Sequence, residues 1–288
     1  GTLDLLTFLA NVNTPVAWAW APTLVALLVV TAALTKSAQF PFHSWLPETM
    51  EAPTPVSALM HAGIINAGGV LLLRFAPLLA TAPIALFLLS LVGTLTITLG
   101  MLTMWAQTNV KRTLAWSTVS QMGFMMIQVG LAVFPAAILH IVGHGFYKAW
   151  SFFRTGDLPD VVTLPAYESP RRALNYVLLG VAVAVPALAL AALITGFNPF
   201  HSPGELALTT LVALGIGQFW LTFFRAPVVG ADAALARNLY AVLTTFVLAL
   251  LAFLLYKGAT LFFAPVVGPV PVLRGPLVWA AALLPVLA

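Results

Sequence analysis

The chain has 288 residues, 61% of them hydrophobic and 7% charged, with a formal net charge of +4 and a mean hydropathy of +1.03. About a quarter of a soluble domain's residues are charged, so this composition excludes a water-solvated globule and makes lipid the natural solvent. Cysteine is absent, which excludes disulfides and thiolate metal sites within the chain, and no basic run with interleaved aromatics suggests nucleic acid.

Residue 1 is glycine and no short signal-type apolar segment opens the chain. The sequence therefore reads as a processed product or as part of a longer one. A membrane span needs about 20 mostly apolar residues. Such stretches fall at roughly 17–36, 55–76, 82–106, 113–133, 136–155, 173–195, 206–224, 239–263 and a short one at 276–288. All are expected to be helices, because open strands cannot satisfy their backbone in hydrocarbon. The expected fold is an all-α integral membrane bundle of about nine visible spans.

The first stretch runs into Lys36-Ser37-Ala38-Gln39-Phe40-Pro41 and then Trp45-Leu46-Pro47. Pro41 removes a backbone donor and disfavours helix at the residue before it, so one discontinuous helix is expected near Lys36–Pro41. Interrupted helix at membrane depth is tolerated where it packs in protein or lines a watery cavity. Lys36 beside the break is either a lysine snorkelling to the interface or a titrating, proton-holding group. In the second stretch, His61 near the cytoplasmic end is on its own a packing residue; its interest comes from other ionisable groups.

Loops after the third, fifth and seventh stretches hold Lys111 and Arg112, then Arg154, Arg171 and Arg172, then Arg225 and Arg237. The opposite connections hold little beyond Arg74 and Arg274. The positive-inside rule makes the first set cytoplasmic and puts the tail at Gly1 on the other side. Lys111 itself reads first as a topology signal. The fourth stretch is polar, with Ser117, Thr118, Ser120, Gln121 and Gln128; these bond neighbouring helices or order water.

In the fifth stretch His140, His144 and Lys148 recur at i, i+4 and i+8. They share one helical face, rising about 6 Å per step. Ionisable groups are costly inside a membrane and are functional candidates by default. Gly143 and Gly145 thin this helix, leaving room for close neighbours or water. The His140–His144 spacing also suits a helical metal pair, but no intervening Glu or third ligand accompanies it. A haem between His61 and His140 is the other metal alternative, and the neighbouring lysine argues against both. Neither a metal site nor a catalytic residue is expected.

Three blocks resemble a known family in order and spacing. They are Lys36 to Pro47 continued by Ala52-Pro53-Thr54-Pro55-Val56-Ser57-Ala58-Leu59-Met60-His61-Ala62, then Asn109 to Gly123, then His140 to Ala149. All are similar to the proton-translocating antiporter-like subunits of complex I and of Mrp-type sodium/proton antiporters, over roughly residues 22–156. The resemblance implies that Lys36 is the lysine of the first discontinuous helix and Lys148 the central lysine of a hydrophilic axis. It implies that His61, His140 and His144 connect them through water; Lys111, Ser117, Ser120 and Gln121 are further candidates for pathway support.

The departures narrow that implication. The family has an acidic residue upstream of the Lys36 block, yet no Asp or Glu lies between Thr7 and Pro47; the expectation is an absent N-terminal portion. Beyond Gly156 the family's second discontinuous helix and its terminal lysine cannot be found. In their place stands Pro165-Ala166-Tyr167-Glu168-Ser169-Pro170-Arg171-Arg172 and further apolar stretches. The organisation is read as one transmembrane domain, 1–288, with a conducting core at 17–156 and a divergent part at 157–288. The shortened second half looks most like the membrane subunit of the DAB inorganic-carbon accumulation complex. That resemblance implies coupling of proton or sodium flow to CO₂/bicarbonate chemistry on a large carbonic-anhydrase-like partner, which holds zinc, while this chain holds no cofactor. The alternative is a subunit of a complex I-type NADH:quinone oxidoreductase or an Mrp antiporter. A bacterial cytoplasmic (inner) membrane is the expected location.

Overall fold

The computed structural model describes residues 20–156, 170–224, 231–267 and 276–287. The tail before Trp20, Pro165–Ser169, Arg225 and Arg274, for which the sequence raised expectations, lie outside those residues. Among the described residues every regular element is helical. In chain order they are α1 (Ala21–Lys36), α2 (Trp45–Glu48), α3 (Thr54–Ala62), α4 (Ala67–Arg74), α5 (Ala76–Ala80), α6 (Pro83–Trp105), α7 (Val110–Gly130), α8 (Phe134–Phe153), α9 (Pro170–Thr195), α10 (Pro203–Phe224), α11 (Ala231–Val267) and α12 (Pro276–Leu287). Short 3₁₀ turns at Thr49–Glu51, Ile64–Asn66 and Arg154–Gly156 link some of them. Among the described residues four helical segments are long and apolar enough to cross a membrane: Thr54–Arg74, Pro83–Trp105, Leu174–Thr195 and Leu235–Phe262.

Local sequence explains the starts. Proline occupies the first or second position of α1, α3, α6, α8, α9, α10 and α12, where its missing N–H is no loss. At α7 the Asn109 side chain instead accepts from the Arg112 backbone N–H at 3.2 Å, an N-cap. The ends are equally defined. After α1, Gln39 N–H donates to Leu34 O and Ala38 N–H to Thr35 O, with Ala38 at φ 50°. That is the Schellman stop, with alanine in the left-handed position that glycine usually fills. Helix α7 stops the same way at Ala132, φ 57°, and α9 at Gly196, φ 69°.

The chain forms two compact units. The first comprises Gly1–Leu158, Ser202–Gly204 and Ala259–Ala288. Its core is built from Val30, Leu72, Leu86, Met122, Met125 and Phe134 among others. Helices α6 and α7 lie against each other along a seam of small residues: a Cβ at Gly93 would come 2.6 Å from Gly123 O, and Gly100 faces Ser120. Such seams let membrane helices approach closely. The second unit comprises Pro159–His201 and Glu205–Gly258. Its core joins Ala184, Leu188, Ile216, Trp220 and Phe253, and α9 meets α10 where Gly180 faces Gly217.

The break after Lys36 lies where Pro41 predicts it. A second interruption was not foreseen. The stretch read as one span at 55–76 is divided at Gly63–Asn66 into α3, a 3₁₀ turn and α4. Ser37 Oγ, just after the first break, donates to Ile65 O inside the second at 2.8 Å, and Asn66 Nδ2 donates to Ala62 O at 2.7 Å. Two carbonyls at the interruption, Ala62 O and Ile65 O, thus gain side-chain donors, as buried backbone requires. Gly68 makes the junction possible, since a Cβ there would overlap Ser37 Oγ.

Candidate functional site

Helices α3, α7 and α8 of the first unit place their polar residues together. Lys148, fully buried near the C-terminal end of α8, donates from Nζ to Ser117 Oγ at 2.9 Å and to Leu114 O at 3.1 Å. Both acceptors come from the first two turns of α7 and both are neutral. Among the described residues no carboxylate pairs with this lysine. Two acceptors serve the N–H groups of an amine as well as those of an ammonium, so the pocket holds the side chain in either protonation state.

The same Leu114 carbonyl accepts from Thr118 Oγ1 at 3.0 Å. Thr118 Oγ1 in turn lies 3.0 Å from His61 Nδ1. With the hydroxyl proton given to Leu114 O, Nδ1 is the donor and Nε2 of His61 is the bare acceptor. The His61 ring packs on Phe152, centroids 4.6 Å apart, and its Nε2 is buried with no protein partner among the described residues. A continuous run therefore joins His61, Thr118, Leu114 O, Lys148 and Ser117.

His144 lies one turn before Lys148 on α8, is buried, and has no hydrogen-bond partner at either ring nitrogen among the described residues. Its ring is 5.8 Å from that of His140, which packs on Phe124 at 5.6 Å. Asn66 Oδ1 is another buried oxygen without a protein partner among the described residues, on the 3₁₀ turn that follows α3, whose last residue Ala62 faces Gly145 of α8 through its carbonyl. Buried polar atoms of this kind are completed by water in native proteins. Of the two glycines beside His144, Gly145 admits the close neighbour and Gly143 faces open space.

The other sequence candidates fall elsewhere. Lys36 is exposed in the last turn of α1. Lys111 Nζ donates to Ala52 O at 3.3 Å, tying the start of α7 to the loop before α3. Ser120 is buried in the α6–α7 seam against Gly100, and Gln121 is exposed. Sequence reasoning noted Thr118 only as part of a polar helix and overlooked His43. His43 packs between Phe40 and Trp116 at 5.7 and 5.5 Å, its Nδ1 buried without a partner among the described residues; its place two residues after Pro41 was the available signal. No group of three or more His, Cys, Asp or Glu side chains among the described residues could hold a metal ion.

A family model described as "NADH:quinone oxidoreductase/Mrp antiporter, TM" matches residues 1–198. The chain is 42% identical over 221 residues to the probable inorganic carbon transporter subunit DabB2 of Halothiobacillus neapolitanus, covering 74% of this chain and 40% of that protein. It is 52% identical over 132 residues to the probable inorganic carbon transporter subunit DabB of Hydrogenovibrio crunogenus, covering 46% and 26%. It is 44% identical over 159 residues to the chloroplastic NAD(P)H-quinone oxidoreductase subunit 5 of Lolium perenne, covering 55% and 22%. The chain thus spans less than half the length of these curated relatives. Among solved structures it is similar to the Mrp complex from Dietzia sp. DQ12-45-1b, with 26% identity and a TM-score of 0.48 over 94% of this chain and 34% of that one.

Proposed function

This chain belongs to the NADH:quinone oxidoreductase/Mrp antiporter membrane family, and from that premise we propose that it is a proton- or sodium-conducting, energy-coupling integral membrane subunit. Residues 17–156 form the conducting core and 157–288 the divergent part. Lys36, His61, His140, His144 and Lys148 carry the ion, with Ser117 as direct support for Lys148 and Lys111, Ser120 and Gln121 as outer support. The coupled process is accumulation of inorganic carbon (CO₂/bicarbonate) with a large carbonic-anhydrase-like partner in a bacterial cytoplasmic (inner) membrane. Zinc belongs to that partner's chemistry.

The observation that carries this reading is Lys148 buried on two neutral acceptors and linked to His61 through Leu114 O and Thr118. An intramembrane lysine without a carboxylate partner among the described residues is costly to keep charged, and a pocket whose two neutral acceptors serve the amine as well as the ammonium suits a group that loads and releases a proton. Water completing His61 Nε2 and the His144 ring extends the run toward His140. A partner that changes the charge or packing near this run shifts its occupancy.

The Lys148→Ala variant is expected to abolish coupled transport while assembly of the complex survives. Unimpaired transport by a correctly assembled variant overturns the proposal. A second reading, a subunit of an NADH:quinone oxidoreductase or an Mrp antiporter, draws support from the 44% identity to the chloroplastic oxidoreductase subunit. Co-purification separates the two: a single large zinc protein favours the first, and a quinone-linked or multi-subunit antiporter assembly favours the second.

A further inference from the structure

Two buried amides stand at the helix interruptions of the first unit, and the sequence reading assigned neither. Gln39 lies in the break after α1 and is fully buried. Its Nε2 donates to Ser37 O at 2.9 Å, while its Oε1 is buried with no partner among the described residues. Asn66, 5% exposed, closes the 3₁₀ turn between α3 and α4. Its Nδ2 donates to Ala62 O, and its Oδ1 is likewise without a partner among the described residues. Each amide thus engages nearby backbone through its NH₂ group and leaves one acceptor oxygen in the interior. The two breaks form one junction, because Ser37 Oγ donates to the carbonyl of Ile65, the residue before Asn66. Phe40 N–H donates to Thr96 Oγ1 of α6 at 3.1 Å, which holds the loop in place.

The proposed ion-conducting role, on which this inference rests, leaves a gap at that junction. Lys36 is exposed at the end of α1, whereas His61 and Lys148 are buried. Among the described residues no hydrogen bond joins Lys36 to the run from His61 to Lys148. We propose that Gln39 and Asn66 are positioning residues that hold water between Lys36 and the buried run, so that the double helix break is the inward connection of the pathway. Asn66 reaches the helix that carries the run. A Cβ at Gly145 of α8 would lie 3.0 Å from Ala62 O and 4.0 Å from Asn66 Nδ2. The residue before Gly145 is His144, both of whose ring nitrogens are buried and without a partner among the described residues.

A carboxamide suits that place. It is neutral in all conditions the protein meets, so it orders water without holding a charge of its own. Its oxygen accepts from a water molecule, whose lone pairs stay open to a donor such as the Lys36 ammonium and whose second proton points onward. The nearest backbone carbonyls are not available for this: Ser37 O, Ala62 O and Ile65 O already have side-chain donors. The two amide oxygens are therefore the open acceptors of the junction. Water completes buried polar atoms of this kind, and interrupted helices at membrane depth are tolerated where they line a watery cavity. A merely structural tie across the breaks would need the NH₂ groups alone, and the two roles are separable.

The test combines coupled transport with infrared spectroscopy of bound water, on the full chain assembled in its complex in lipid. The probe is D₂O, whose bound molecules are recognised by O–D stretches that shift when the oxygen isotope is changed. Asn66→Leu and Gln39→Met, close in shape to the residues they replace, should each lose a bound-water band and lose transport. Asn66→Thr is the discriminating variant. Its hydroxyl can donate to Ala62 O, as Thr118 does to Leu114 O, but it places no oxygen where Oδ1 stands. It should unfold at the wild-type temperature, lack the band and transport slowly. Unchanged water bands in Asn66→Leu and Gln39→Met overturn the proposal, as does wild-type transport by folded Asn66→Thr; should Asn66→Leu fail to fold, the other two variants decide it. Lys148→Ala separates this inference from the reading beneath, because it should lose transport with the water bands intact. Normal transport by that variant removes the role of Lys148, while the bands still report whether the junction holds water.

Discussion

Two threonines perform the same local task in the two units, and one of them stands in a run that joins titratable side chains. In the first unit Thr118 accepts from the His61 ring and donates to the carbonyl four residues back, Leu114 O. In the second, Thr245 accepts from Trp220 Nε1 at 2.8 Å and donates to Ala241 O, also four residues back, at 2.8 Å. Both satisfy a buried ring N–H between helices. The difference lies in what surrounds them. Leu114 O is shared with Lys148 Nζ and the ring is an imidazole, whereas Ala241 O serves Thr245 and the indole has one permanent donor. A helix-to-helix hydrogen bond thus becomes a candidate conduction element only through the titratable groups at its two ends.

That comparison can be broken directly. Thr118→Val and Thr245→Val each remove the hydroxyl that accepts from a buried ring N–H, which costs about 1–3 kcal/mol. Thermal unfolding in detergent should therefore register a similar loss of stability for both. Coupled transport should separate them, with Thr118→Val strongly impaired and Thr245→Val close to wild type once corrected for folded protein. Equal transport by the two variants would reduce Thr118 to a packing residue.

The next contrast concerns space rather than hydrogen bonds. A Cβ at Gly68 would overlap Ser37 Oγ and approach Ala33 O, at the junction of the two helix interruptions, whereas a Cβ at Gly258 in α11 meets nothing within 4 Å. Gly68→Ala should cost about 1–3 kcal/mol as overpacking, while Gly258→Ala should gain about 0.5–1 kcal/mol from helix preference. Opposite shifts in melting temperature are expected. A neutral Gly68→Ala would mean that Ser37 can leave Ile65 O without consequence.

Much of the architecture was legible because apolar length and proline position act locally. The starts of α6, α8 and α12 fall within a few residues of the expected stretches, and the stop after Lys36 falls where Pro41 indicates. The face shared by His144 and Lys148 follows from helical periodicity alone, and both are buried. What stayed hidden depends on partners far along the chain. The interruption at Gly63–Asn66 lies inside an apolar run, and its freed carbonyls are met by Asn66 and by Ser37, 28 residues before Ile65. Leu114 contributes to the site through its backbone, which side-chain patterns do not record. Glu205 and Tyr256 lie 51 residues apart and look like isolated polar residues in apolar stretches until α10 and α11 pack.

The smallest expected effects concern the helix stops, and they oppose the two units in sign. All three Schellman stops use a left-handed residue, but the first unit employs alanine at Ala38 and Ala132 and the second glycine at Gly196. A residue with a Cβ in that region bears strain on the order of 1 kcal/mol. Ala38→Gly should therefore raise stability by about 1 kcal/mol and Gly196→Ala lower it by about the same, each seen as a small shift in unfolding temperature. Ala38 sits two residues from Lys36 and one from Ser37, whose hydroxyl holds Ile65 O. If the strain there keeps the break stiff and the junction with α3 and α4 in register, Ala38→Gly will stabilise the fold and lower coupled transport together. A stabilised variant with unchanged transport would instead show that the left-handed alanine ends the helix and does nothing more.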